Sequence, residues 1–322
     1  MSRPDAKLTI GVDVGGTFVK CGLVRGRKLL TQRSFPTASL VTVRSLEEAI
    51  ADAVSALKHR SPGPVSGVGV GVPGLVRYPE GVVRSVVNLK GTWADVPLRS
   101  NLMRKLKLPV QVDNDVNLMT LAEWICGAGE GTKNLICLTL GTGVGGGLVL
   151  DGRLYRGMNG SAGELGHIPL GEAGPRCPCG GMACLERTVG NREILQWVRD
   201  QLDRGVKSRI LKLIDHDRRL LTHKIIDRAC ELGDPLARET WKRAGEAVGL
   251  VLAGVVNLLS PERIVVGGGI AQAGRWLFTP MRQTLSRRAM RGLKKIPIVP
   301  AKLGFSAGLM GAALLAQEAT RE

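Results

Sequence analysis

The spacing of apolar and polar positions changes several times along the chain, and each change marks an element. From Leu8, the run LTIGVDVGGTFVKCGLV places β-branched residues on both sides of Gly15-Gly16 without helical spacing. It predicts strand, glycine turn, strand. Leu46, Ile50, Ala53, Val54 and Leu57 recur at helical spacing, which predicts a helix from about Ser45 to His59, stopped by SPGP. VSGVGVGVPGLV then reads as an apolar strand running into a Pro-Gly turn. PVQV (Pro109–Val112) reads as a strand delivering DNDVNLMTLAEW, where an Asp or Asn caps a helix reaching about Cys126.

A second round starts with NLICLTLGTGVGGGLVLDG, again strand, glycine turn, strand. A long loop, Arg156–Cys184, follows. Helices are predicted over Asn191–Gln201, Ser208–Leu213, Thr222–Leu232, Pro235–Leu259 and Arg275–Met290, with a buried strand RIVVGGG (Arg263–Gly269) before the last of them. The final segment, SAGLMGAALLAQEA, reads as an amphipathic helix. Strands alternating with helices in two similar halves predict an α/β protein with two lobes and a cleft between them.

Composition narrows this picture. Gly is 43 of 322 residues while aromatics are 3%, the habit of a glycine-lined nucleotide site more than of a base-stacking surface. The longest apolar run, Ala247–Leu259, has thirteen residues, short of the roughly 20 that span a bilayer. Asp13 interrupts the first apolar stretch, so no signal peptide is expected. Seven cysteines, an odd number, argue against a disulfide framework and for a reducing cytoplasm. The net charge of +17 raises nucleic acid, anionic membranes or phosphorylated ligands as partners, and Arg275–Lys302 holds eight Lys/Arg and no acid. Aromatics there are few and no DNA-reading motif is present. A solvated basic face is expected, with no specific nucleic-acid or membrane partner.

The glycine-rich stretches carry the first chemical signal. G-x-G-x-x-G occurs at Gly69, Gly71, Gly74 and at Gly141, Gly143, Gly146, but a dinucleotide fingerprint needs a helix directly after it. Pro73 and the strand GLVLDG deny that. The turns DVGGT (Asp13–Thr17) and GTGVGG (Gly141–Gly146) remain, able to aim backbone N–H groups at phosphates. With Asp13, Thr17 and Lys20 they form a candidate clamp around a polyphosphate. Asp115, after a strand and at a helix start, is either a cap or an ionised acceptor for a hydroxyl proton. His167, Cys177, Cys179 and Cys184 offer one imidazole and three thiolates, a complete tetrahedral zinc set of the structural type; free thiols are the alternative.

The motifs GVDVGGTFVKCGLV, GVPGLV, DND at the head of a helix, LTLGTGVGGGLVLDGRLYRG, GELGH, CPCGGMACLE and IVVGGGIA stand in the order found in ROK-family sugar kinases. The chain resembles the glucokinase-like branch of that family over nearly its whole length. The resemblance implies the two-lobed actin-like, ribonuclease H-like ATPase fold with a central cleft. One lobe would be 1–116, completed by a C-terminal helix at 305–322, and the other 117–304. No helix-turn-helix, which some members carry, is expected before a strand starting at about Leu8.

The resemblance also assigns roles. Asp115 matches the catalytic Asp and Asn114 a sugar ligand; Asp113 stands where the family usually has Glu. Glu164, His167 and Glu186 would point into the sugar pocket, with Asn88 a weaker addition. Asp13 would hold Mg²⁺ through water; its alternative is a turn-stabilising residue. Gly15, Gly16, Thr17, Lys20, Gly141, Thr142 and Gly143 would surround the phosphates of ATP. Gly268 and Gly269 match where adenosine packs, or else close a strand. The four metal ligands match a structural Zn²⁺ site, with Ala183 where Gly is common. The expected function is ATP-dependent phosphorylation of a hexose at O6, most simply glucose. N-acetylmannosamine, N-acetylglucosamine or fructose kinases, a non-catalytic sugar-binding regulator, and a nucleic-acid-binding module are the alternatives. A homodimer or higher homo-oligomer is expected.

Overall fold

The computed structural model describes residues 7–86 and 89–319. In chain order the first elements are β1 (Leu8–Val14), β2 (Phe18–Arg25), β3 (Lys28–Pro36), α1 (Val43–His59), β4 (Val65–Val72), β5 (Gly74–Arg77), β6 (Val82–Val86), α2 (Leu98–Leu106), β7 (Val110–Asn114) and α3 (Asp115–Cys126). They are followed by β8 (Leu135–Leu140), β9 (Val144–Leu150), β10 (Arg153–Tyr155), α4 (Glu186–Val189), α5 (Asn191–Asp203), α6 (Ile210–Leu213) and α7 (His223–Glu231). The last are α8 (Pro235–Leu259), β11 (Arg263–Gly267), α9 (Arg275–Arg288), β12 (Ile298–Pro300) and α10 (Ala307–Ala319). The protein is mixed α/β. Among the described residues no helix is long and apolar enough to cross a membrane.

The chain forms two units, residues up to 133 with 147–163 and 302 onward, and residues 134–146 with 164–301. The first unit holds a five-stranded sheet in the order β3-β2-β1-β4-β7. β1 and β2 form the expected antiparallel hairpin, while β1, β4 and β7 run parallel. β1 and β4 are buried at nearly every position, as central parallel strands covered on both faces are. On one face lies α1, started by a Thr42/Ser45 capping box and buried through Leu46, Ile50, Ala53, Val54 and Leu57.

On the other face lies α10, so close that a Cβ at Gly69 would fall 1.8 Å from the Ala312 carbonyl oxygen and one at Gly11 2.0 Å from that of Leu309. The amphipathic pattern expected for this helix is not what is found: its residues from Ala307 to Gln317 are all buried. It sits between β1 and β4 on one side and α3 on the other, and neither side leaves a wet face. Leu118, Leu121 and Ala122 of α3 share a core with Leu309, Ala312, Ala313 and Leu315 of α10. This packing moves the expected boundary at 116/117, because α3 and residues up to 133 go with the first unit.

In the second unit β8, β11 and β12 run parallel. The strand order of this sheet is β10-β9-β8-β11-β12, and β9 starts in the second unit and ends in the first, where it pairs with β10. The helix α8 is capped by Asp234, whose carboxylate accepts the Ala237 N–H at 2.8 Å, with Pro235 as its first residue. It packs along α9, where Gly245 and Gly249 let the two backbones approach.

Candidate active site

In the first unit the turn between β1 and β2 is closed by the Gly15 N–H donating to the Phe18 carbonyl at 3.0 Å. Thr37 holds it from outside. Its Oγ1 donates to the Gly15 carbonyl at 2.7 Å and its N–H to that of Thr17 at 2.9 Å. Gly16 and Thr17 stand exposed at the tip. Asp13 faces Lys20 across the hairpin, with Nζ 3.9 Å from Oδ2. Burial pushes the Asp13 carboxyl above its ordinary range and Lys20 offsets this in part. Lys20 also donates to the Phe305 carbonyl at 3.2 Å. Gly308, in the first turn of α10, abuts the Asp13 carboxylate. A desolvated carboxylate with its cation at 3.9 Å suits a water-bridged divalent ion, which would relieve the cost of the buried charge.

Where β7 becomes α3, Asn114 caps the helix by accepting the N–H groups of Val116 and Asn117 at 2.9 and 3.0 Å. Its Nδ2 donates to the Gly74 carbonyl at 2.9 Å. One amide hydrogen remains for a ligand. Asp115 is the first helical residue, half-buried, its Oδ1 accepting the Val116 N–H at 2.9 Å. It sits at the positive end of α3. Next to it Asp113, 1% exposed, takes the Arg156 Nε at 2.7 Å. Nothing in the sequence ties 113 to 156, and this pair is absent from the expected site. Asn88, expected near the sugar, lies outside the described residues.

In the second unit the Gly141–Gly143 turn is closed by Gly141 N–H to Gly143 carbonyl at 2.9 Å, and the Gly141 carbonyl accepts the Asn191 N–H that opens α5. Glu186 Oε2 accepts the Val144 N–H at 2.8 Å, and a Cβ at Gly143 would fall 2.5 Å from that oxygen. Glu186, expected among the sugar ligands, braces the Gly141–Gly143 turn. Glu164 lies 3.8 Å from His167 Nε2. Burial raises the Glu164 carboxyl, His167 lowers it, and Glu186 raises it again, so these three side chains share one neighbourhood. Gly268 follows β11 at φ 89°, and a Cβ there would fall 2.2 Å from the Leu140 carbonyl oxygen. Only glycine serves at that turn. Gly141 and Gly269 face open space.

His167 Nδ1 lies 3.6 Å from Cys177 Sγ, and the sulfurs of Cys179 and Cys184 are 3.7 Å apart. All four donor atoms fall within 4.8 Å of one another. Metal–sulfur bonds of about 2.3 Å give a tetrahedron with edges of about 3.8 Å, so the donors fit a Zn²⁺ ion. Nδ1 faces the thiols and leaves Nε2 toward Glu164. Ala183 takes φ 54°, a left-handed conformation that glycine adopts freely and alanine only at a cost of about 1 kcal/mol.

The ROK family model matches residues 9–319. The chain belongs to the ROK family. Among its relatives, the glucokinase of Halalkalibacterium halodurans is 35% identical over 316 residues, covering 96% of this chain and 94% of that protein. A ROK-family glucokinase from Streptomyces griseus, solved with glucose and AMPPNP, superposes with a TM-score of 0.83 at 32% identity, covering 97% of this chain and 99% of that one. A ROK-family transcriptional regulator, a homologue of the E. coli MLC protein, superposes with a TM-score of 0.88 at 26% identity, covering 97% of this chain and 78% of that one. ROK membership thus carries the fold for kinases and regulators alike, and the side chains at the site must separate them.

Proposed function

We propose that this ROK protein is an ATP-dependent hexokinase that converts glucose to glucose 6-phosphate. The observation that carries the reading is full-length similarity to glucokinases in a chain that keeps Asp115 at the start of α3. An ionised carboxylate at that position accepts the proton of the sugar O6 hydroxyl as the oxygen attacks the γ-phosphorus. The P–O bond to ADP breaks and the proton stays on Asp115 until water removes it. Asn114 offers its free amide hydrogen to a sugar hydroxyl. Glu164 and His167 Nε2 give a hexose an acceptor and a donor, groups that discriminate because a missing hydroxyl would leave them unpaired. With the Gly15 and Gly141 N–H groups spent on closing their turns, the backbone N–H groups of Gly16 and Thr17, and of Thr142 and Gly143, meet the phosphates, and Lys20 adds a positive charge.

A Mg²⁺ ion beside Asp13 supplies neutralisation of the phosphate charge. Zn²⁺ held by His167, Cys177, Cys179 and Cys184 supplies rigidity to the loop that carries Glu164 and Glu186. The likeness to a transcriptional regulator favours a second reading, a sugar sensor without turnover. One assay separates them: ATP consumption with glucose, fructose, N-acetylglucosamine and N-acetylmannosamine, run on the parent and on Asp115→Asn. Glucose should give the highest kcat/KM, and Asp115→Asn should lower kcat at least ~10²-fold with the fold retained. Absence of sugar-dependent ATP consumption would favour the sensor. An Asp115→Asn protein as fast as its parent would remove Asp115 from the mechanism.

A further inference from the structure

We propose that Arg156 is a positioning residue that holds the Asn114–Asp115 turn in register by fixing Asp113; the inference rests on the reading of Asp115 as proton acceptor. Asp113 lies in β7 with its side chain 1% exposed. Oδ1 accepts the Asn114 N–H at 2.8 Å and the Asn117 Nδ2 at 3.1 Å. These two donors stand on either side of Asp115 in sequence, so one carboxylate oxygen straps the backbone before it to the helical turn after it. The other oxygen, Oδ2, takes the Arg156 Nε at 2.7 Å. The Arg156 guanidinium carbon lies 3.8 Å from the centre of the Tyr78 ring, a stack that fixes the cation as well as the anion.

A carboxylate buried to this degree keeps its charge in place only beside a cation. With Arg156 removed, the cheapest remedy for Asp113 is to rotate toward water, releasing Asn114 and Asn117 and freeing the turn that aims Asp115. Arg156 need touch neither sugar nor nucleotide for this. It acts through Asp113, and the effect belongs in kcat.

Steady-state kinetics on Arg156→Met, Arg156→Lys, Asp113→Asn and the double variant Arg156→Met/Asp113→Asn test this, with circular dichroism to follow the fold. Arg156→Met should lower kcat by about 10- to 100-fold, the range for a displacement of about 1 Å, and leave the ATP KM within about twofold. Arg156→Lys should recover part of the loss by keeping the charge. The double variant should be at least about threefold faster than Arg156→Met, because an amide still accepts through Oδ1 and carries no charge to strand. A double variant as slow as Arg156→Met, or an Arg156→Met protein with the parent's kcat, would overturn the proposal. Should Arg156→Met be insoluble, a soluble double variant supports it and an equally insoluble one overturns it. Asp115→Asn measured alongside keeps the two readings apart. If Asp115→Asn is slow while Arg156→Met is normal, only the strap fails; if Asp115→Asn turns over like the parent, the proton acceptor itself is misassigned.

Discussion

Replacing Gly308 with alanine should slow the enzyme without loosening its fold. A Cβ at this position would fall 2.8 Å from the Asp13 carboxylate carbon and Oδ1 and 2.9 Å from Oδ2. Ordinary carbon contacts lie at about 3.5–4.0 Å, so one side must retreat by roughly 0.7–1.2 Å. Gly308 is anchored in the first turn of α10, whose residues from Ala307 to Gln317 are buried. The carboxylate, at the free end of a side chain, yields instead. The helix loses nothing, since alanine is favoured over glycine there by up to about 1 kcal/mol. On the proposed role of Asp13 beside Mg²⁺, a displacement of about 1 Å costs up to about 10²-fold. We expect kcat 10- to 100-fold lower, a higher Mg²⁺ requirement and a melting temperature no lower than the parent's. Coupled detection of ADP across a Mg²⁺ titration, with calorimetric melting of the same sample, reads all three. An unchanged kcat and Mg²⁺ dependence in a folded protein would show that Asp13 does not work from this position.

Purified protein should carry one Zn²⁺ per chain by elemental analysis without added metal. Cys179→Ser should lose it and raise the sugar KM, and full zinc content in that variant would refute the ligand set. Asp13→Asn should abolish most turnover yet raise the melting temperature in magnesium-free buffer near neutral pH. Burial raises this carboxyl above its ordinary value of 3.8, so the folded state prefers the protonated form. The penalty is therefore absent below that value and grows as pH rises through the window up to the folded one. A melting difference that stays constant from pH 4 to 7 would contradict this sign.

The glycine hairpins, the capped start of α3 and the Cys/His spacing are legible in the sequence because each is local: a turn, a cap or a short ligand interval. So is α8, which begins at Pro235 and ends at Leu259 as its pattern predicts. The helix α2 is not, since its buried positions are only Leu98, Leu102 and Leu106 among basic residues, and Pro97 gives no side-chain cap. Strand β3, partly or fully exposed throughout, shows little hydrophobic signal for the same reason, an edge strand having one partner and little core. The course of α10 is hidden for a different cause. Its companions on the sheet are Gly11 and Gly69, and a glycine that makes room for a helix looks in sequence like a glycine that makes a turn. The pairing of Asp113 with Arg156 is a tertiary contact across 43 positions, beyond any periodicity.

The dependence of the first unit on α10 has a consequence for the order in which the protein can be completed. β1 is made first and α10 last, with the whole second unit between them. At about 5–20 residues per second, roughly 15–60 s pass on the ribosome before the helix that covers Gly11 and Gly69 is available. Through that interval the glycine-lined face of β1 and β4 lacks its cover, open to chaperones and to mispairing. The second unit, whose pieces emerge between residues 134 and 301, waits less than half as long, roughly 7–26 s between β8 and its partner β11. A nonsense mutation near residue 300 would thus damage the end of the protein that was synthesised first.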